Sequence, residues 1–207
     1  MATEHMPAEH PVIRSHPGCR FVVLTGGPGA GKTAILEMAR RSFGSRATVL
    51  PEAASILFGG GFWRSSSAAG KRAAQRAIYY VQREQQRMVE EEGALPFVLC
   101  DRGTLDGLAY WPEEPSTFWR DLDTTCEVEL ARYHAVIHLR TPGEGQGYNH
   151  QNPLRTEDAT RAREIDERIL RVWSRHPQRY IVDSSDDFLI KVETTLRLVA
   201  RLLGEAV

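Results

Sequence analysis

Apolar residues follow two rhythms along this chain. Five short stretches, Phe21–Leu24, Ala47–Glu52, Phe97–Asp101, Ala135–Leu139 and Arg179–Asp183, carry nearly unbroken apolar runs. Runs without polar alternation are what strands covered on both faces require. Between them, apolar positions recur every three or four residues. Ile35, Leu36 and Ala39 do so in Ala34–Arg40, and Ala74, Ala77, Ile78, Val81 and Met88 in Ala68–Glu92. Phe118, Leu122, Val128 and Leu130 mark Thr117–Arg132, and Phe188, Leu189, Val192, Leu196, Val199, Leu202 and Leu203 mark Asp187–Leu203. That spacing predicts amphipathic helices. Further helices are predicted over Ala53–Phe58, Thr104–Trp111 and Glu157–Arg175. Gly93 suits a helix C-terminus and Ser184-Ser185-Asp186 a helix cap. The alternation of strand and helix predicts one α/β domain over residues 20–207, a three-layer sandwich around a five-stranded parallel sheet. Residues 1–19 hold three prolines and His5, His10 and His16, whose spacing matches no zinc pattern, so an unstructured arm is expected.

Between the first strand and first helix stands Gly26-Gly27-Pro28-Gly29-Ala30-Gly31-Lys32-Thr33. A glycine-rich turn there can curl around a phosphate and point its N–H groups inward. The following helix aims its positive end at the same anion. Lys32 would reach the β- and γ-phosphates of a nucleoside triphosphate, and Thr33 would ligate Mg²⁺.

Two carboxylates end strands, where ligands of open parallel sheets bind. Glu52 would serve as general base, help hold Mg²⁺ through water, or simply cap the next helix. Asp101 would hold Mg²⁺ directly or through a water or the Thr33 hydroxyl. Arg102 is suited to clamp phosphate oxygens, or to an internal salt bridge with Asp101 or Asp106. Gly59–Ser67 reads as an acceptor-binding flap or a plain flexible connection. Tyr110 and Trp111 would wall an acceptor pocket or pack. Gln82 and Arg83 would face the cleft or solvent. His138 is expected in the core. Pro142–Leu154 reads as a loop, with Arg155 at its end and Arg161 and Arg163 on the next helix. These arginines would neutralise charge on a transferring phosphoryl group, or line a solvated face. Glu164–Arg168 and Glu167–Arg171 have ion-pair spacing.

Composition narrows the function classes. The chain has 207 residues, 42% hydrophobic and 26% charged, with net charge -1. Nothing global calls for nucleic acid or an anionic membrane. No apolar run reaches membrane-span length, and the N-terminus lacks the apolar stretch of a secretory signal. Cys19, Cys100 and Cys126 form no disulfide or zinc pattern, so a reducing cytoplasm is the expected compartment.

On these residues the chain resembles the AAA-domain group of small P-loop ATPase/kinases, similar to deoxynucleoside and thymidylate kinases and the ribosylnicotinamide kinase module. The resemblance spans about Phe21–Leu203. It rests on GGPGAGKT at Gly26–Thr33, LPEAA at Leu50–Ala54, CDRGTLDGLAYW at Cys100–Trp111, YNHQNPLRTED at Tyr148–Asp158 and IDERILRVWSRHP at Ile165–Pro177. It implies a P-loop kinase-like fold with a helical lid over about 142–163. It implies that Glu52 is the base, Asp101 serves magnesium and Arg102 serves the phosphates. The second acid pair and the arginine-finger region of ring-forming ATPases are not found.

The expected function is therefore an ATP- and Mg²⁺-dependent phosphotransferase acting on a small nucleoside- or nucleotide-like acceptor. Catalysis would fall to Lys32, Glu52, Asp101, Arg102, Arg155 and Arg161. The alternative is a regulatory NTPase switch acting through a protein partner. GTP stays open in place of ATP, although no NKxD-type guanine motif occurs. No nucleic-acid or membrane partner is expected, and a homodimer stays open.

Overall fold

The computed structural model describes residues 18–93, 96–142, 159–185 and 187–204. The expected N-terminal arm, Arg155 and most of the expected lid lie outside them.

The chain runs β1 (Arg20–Thr25), α1 (Lys32–Phe43), β2 (Thr48–Leu50), α2 (Ala53–Gly59), α3 (Ala68–Glu92), β3 (Phe97–Asp101) and α4 (Asp106–Tyr110). It continues with α5 (Pro115–Leu122), α6 (Cys126–Ala131), β4 (Ala135–Leu139), α7 (Ala159–Val172), β5 (Arg179–Val182) and α8 (Phe188–Leu203). All strands are parallel in the order β2-β3-β1-β4-β5. Leu24 lies opposite Asp101 and Thr25 opposite His138. The carboxyl ends of β2, β3 and β1 are thus neighbours, which brings the loop and both strand-end acids to one edge.

The pleat divides the core. Val22 and Leu24 join Leu99 and Ile137 under α1 and α8. Phe21 and Val23 join Val98, Val136, Ile169 and Trp173 on the other face. Each such buried side chain stabilises the fold by about 1.5–3 kcal/mol. A smaller cluster of Tyr79, Trp111, Phe118 and Leu122 seats α3 against α4 and α5.

Several expected elements differ in detail. The helix expected over 117–132 is two helices, because Asp123 turns into the left-handed region (φ 50°) and Thr125 caps α6 through the Val128 N–H. Two threonines after an Asp are turn and cap formers, which break a helix. On α3, Met88 is half exposed, while Tyr79, Gln82, Gln86 and Val89 are buried. Gln86 is tolerated inside because its side-chain N–H donates to the Tyr133 hydroxyl. On α8, Phe188 and Leu189 are exposed rather than core. That helix is capped by Asp187, whose carboxylate accepts from Leu189 N. On α7, Glu164 pairs with Arg161 and Glu167 with Arg140, instead of the partners expected from spacing within the helix. Among the described residues no helix is long and apolar enough to cross a membrane, and Cys19, Cys100 and Cys126 are free thiols.

Candidate active site

The glycine-rich loop leaves β1 through Gly26, whose φ of 137° side chains rarely adopt. A Cβ there would lie 2.1 Å from the Leu139 carbonyl oxygen. Gly27 packs equally tightly, since a Cβ would come within 2.7 Å of the Asp166 Cβ. Glycine is needed at both because neighbouring chain occupies the space.

Lys32, at the start of α1, folds back over the loop. Its ammonium donates to the Gly26 and Gly27 carbonyls at 2.9 and 3.2 Å. Burial and the nearby Arg102 guanidinium lower it to about 8, against the pull of Asp101, Glu52 and Asp106. Thr33 beside it is exposed and lines the adjoining cleft.

Arg102 joins the strand ends. It is left-handed at φ 72°, which swings its side chain across the loop. Its Nε donates to Glu52 Oε1 at 2.6 Å, and its Nη1 to Gly26 O and Asp106 Oδ2, each at 3.3 Å. Asp106 is fixed from two further sides, accepting from Thr25 Oγ1 and from Trp173 Nε1, both at 2.6 Å. Burial opposes the charge on Arg102, but Tyr110, Glu52 and Asp106 hold its pKa well above the usual value. The salt bridge expected to Asp101 or Asp106 therefore goes to Asp106 and, more closely, to Glu52.

Glu52 occupies the position before α2, yet its carboxylate caps no backbone N–H. One oxygen takes Arg102 and the other the Ser55 hydroxyl. Burial alone would raise its pKa. Arg102, Lys32 and the Ser55 hydrogen bond outweigh that and bring it to about 2.

Asp101 is the opposite case. Burial lifts it to about 6, Glu52 adds to the rise, and Lys32 opposes it. Its Oδ1 is buried without a hydrogen-bond partner. A carboxylate short of partners beside a phosphate-type loop has the chemistry of a ligand for a hard cation. Among the described residues no group of three or more His, Cys, Asp or Glu could hold a metal unaided.

Behind the loop lies a residue that sequence reasoning missed. Asp166 of α7 is buried and accepts from Gly27 N at 2.8 Å and Thr141 N at 3.3 Å. It also lies 2.9 Å from His138 Nε2 and 3.2 Å from Arg140 Nη1. Burial pushes this acid up, but the His138 contact, Gly27 N–H and Arg140 bring it below its ordinary value. His138 is fully buried, as expected of a core residue. An acid beside the buried positions Ala162, Ile165 and Ile169 was the available signal.

These groups open onto one cleft of about 590 Å³. Pro28, Gly29, Lys32, Thr33, Glu52, Asp101, Arg102 and Arg161 line it, while Gly26, Gly27 and Ala30 are buried behind. The cleft continues past the loop between α2, α3 and α4, where Phe58, Gln75, Ile78, Gln82, Tyr110 and Trp111 form walls. Arg64, Ser65 and Ser66 of the glycine- and serine-rich connection also line it.

A family model described as an AAA domain matches residues 21–189. Among solved structures, the chain is similar to deoxyadenosine kinase from M. mycoides with bound dATP. That match has 14% identity, covers 87% of this chain and 98% of that one, and has a TM-score of 0.64. The same kinase with products dCMP and a flexible dCDP bound matches at 13% identity over 87% and 99%, TM-score 0.62. NadR protein in complex with NAD and AMP-PNP matches at 15% identity over 92% of this chain and 51% of that one, TM-score 0.62. At such identities the likeness is one of fold, and that fold is the P-loop kinase-like one. No curated protein matches the chain in sequence.

Proposed function

The chain belongs to the AAA-domain family, and on that premise we propose that it is a phosphotransferase using ATP and Mg²⁺ to phosphorylate a small nucleoside- or nucleotide-like acceptor. The observation that carries this reading is the cleft: Lys32, Thr33, Glu52, Asp101 and Arg102 share it with an extension beyond the loop, walled by Phe58, Gln75, Ile78, Gln82, Tyr110 and Trp111. A regulatory switch would need the loop but not the extension.

In this reading the triphosphate displaces the Gly26 and Gly27 carbonyls as the partner of Lys32. Thr33 and Asp101 would hold magnesium, with nucleotide oxygens and water completing its ligands. Bound there, the ion would neutralise charge on the phosphates. Arg102 and Arg161 would face the transferring group, as would Arg155 if it reaches the site. Glu52, held ionised by Arg102, would accept the hydrogen of the attacking hydroxyl and aim its oxygen. A carboxylate with a pKa of about 2 is a weak base. A loose phosphoryl-transfer transition state asks mainly for positioning, so a weak base suffices.

The test is incubation with labelled ATP or GTP and a panel of nucleosides, nucleotides and small alcohols. Acceptor-stimulated release of ADP or GDP with labelled product is expected, and Lys32→Ala and Asp101→Ala should each abolish it. Slow hydrolysis indifferent to every acceptor would instead favour the switch.

A further inference from the structure

The charges lining the cleft are segregated. Its acids, Glu52, Asp101 and Asp106, all lie at the loop end, where Arg102 and Lys32 face them. Arg161 and Arg168 of α7 line the cleft as well, and so do two further cations, Arg64 and Lys71. Among the described residues neither has an ion-pair or hydrogen-bond partner. Their neighbours on α3 differ: Arg72 pairs with Glu113 and Arg76 with Asp121. Arg72 and Arg76, turned from the cleft, are thus neutralised, while Arg64 and Lys71, which line it, are not.

Arg64 is nonetheless positioned. Its guanidinium lies 3.9 Å from the centre of the Phe58 ring, and such stacking leaves the planar fork free for an oxyanion. Phe58 is six residues along α2 from Glu52, or about 9 Å at the helical rise. The face of α3 along the same wall reads Lys71, Ala74, Gln75, Ile78 and Gln82, a cation followed by neutral groups.

We infer that the acceptor carries an oxyanion, phosphate or carboxylate, at the end away from its phosphorylated hydroxyl, and that Arg64 and Lys71 bind it. This inference rests on the phosphotransferase reading for the hydroxyl, while the anion subsite stands on its own geometry. Arg64 supplies a bidentate fork and Lys71 a point charge.

Matched acceptors test it: thymidine against thymidine 3′-monophosphate, and panthenol against pantothenate. Each pair shares a free hydroxyl and differs by the anion, and the two pairs separate phosphate from carboxylate. In ATP-dependent ADP release, one anionic member is expected to show a KM about tenfold or more below its neutral partner. The Arg64→Gln/Lys71→Gln double variant should erase that preference, and Arg64→Lys should keep part of it. Equal KM values within both pairs, or a preference that survives the double variant, would overturn the inference. If no acceptor is phosphorylated, calorimetric titration of the two anionic probes decides. Binding lost in the double variant keeps the anion subsite and sinks the phosphotransferase reading. No binding by the unmodified protein, or binding indifferent to the variant, sinks the inference itself.

Discussion

Arg102 Nε donates to Glu52 Oε1 at 2.6 Å, so the residue after β3 grips the residue after β2. The pair sets both charges: Glu52 stays ionised to about pH 2, and Arg102 stays protonated. It also ties Glu52 to the loop, because the same guanidinium donates to Gly26 O. Glu52→Gln keeps the side chain's size and removes its charge. Turnover is expected to fall about a hundredfold or more, the range for losing a positioned proton acceptor. ATP affinity by calorimetry should be nearly unchanged. Full turnover in this variant would remove Glu52 from the mechanism.

Replacing Arg102 separates its charge from its backbone. Both Arg102→Ala and Arg102→Gly leave Glu52 and Asp106 without their cation, and both should destabilise the protein. At φ 72° alanine is strained and glycine is not, so the glycine variant is expected to be more stable by about 1 kcal/mol. Urea denaturation of the two variants measures that difference. Equal midpoints would mean the loop relaxes once the guanidinium is gone.

Asp166 links α7 to the phosphate-type loop. Asp166→Asn retains its shape, but one amide oxygen cannot serve Gly27 N, Thr141 N and His138 together. The NH₂ group must then face another donor. A loss of about 2–4 kcal/mol is expected in chemical denaturation. Since Gly27 N is released, weaker ATP binding should accompany it. A fully stable variant with native ATP affinity would show that the Gly27 contact does not position the loop.

Lys191 of α8 is buried and donates to Arg140 O at 2.6 Å. Burial lowers it to about 8, against Asp166 and Asp183, from an ordinary value of 10.5. Between those values the unfolded chain binds the proton and the folded chain does not, so stability rises with pH across that window. The rise attributable to Lys191 is at most about 2–3 kcal/mol. Denaturation at about pH 7.5 and about pH 9.5 should show wild type gaining on Lys191→Met at the higher value. Parallel pH profiles would contradict this assignment.

What the sequence determined by itself was local. A strand covered on both faces must be apolar at nearly every position, so the five strands were legible, and Phe97–Asp101 and Ala135–Leu139 have the expected bounds. The loop was legible because Gly26–Thr33 forms its cradle within eight consecutive residues. Glu52 and Asp101 stood out as acids ending apolar runs. Their meeting was decided by the strand order β2-β3-β1, which no local spacing encodes. Tertiary structure also turned Arg102 to Glu52 and seated Asp166 on Gly27, 139 residues away. It buried Gln82 and Gln86 where periodicity pointed to Met88. A polar group can enter a core only if distant chain supplies its partner, and that partner exists only once the sheet has assembled.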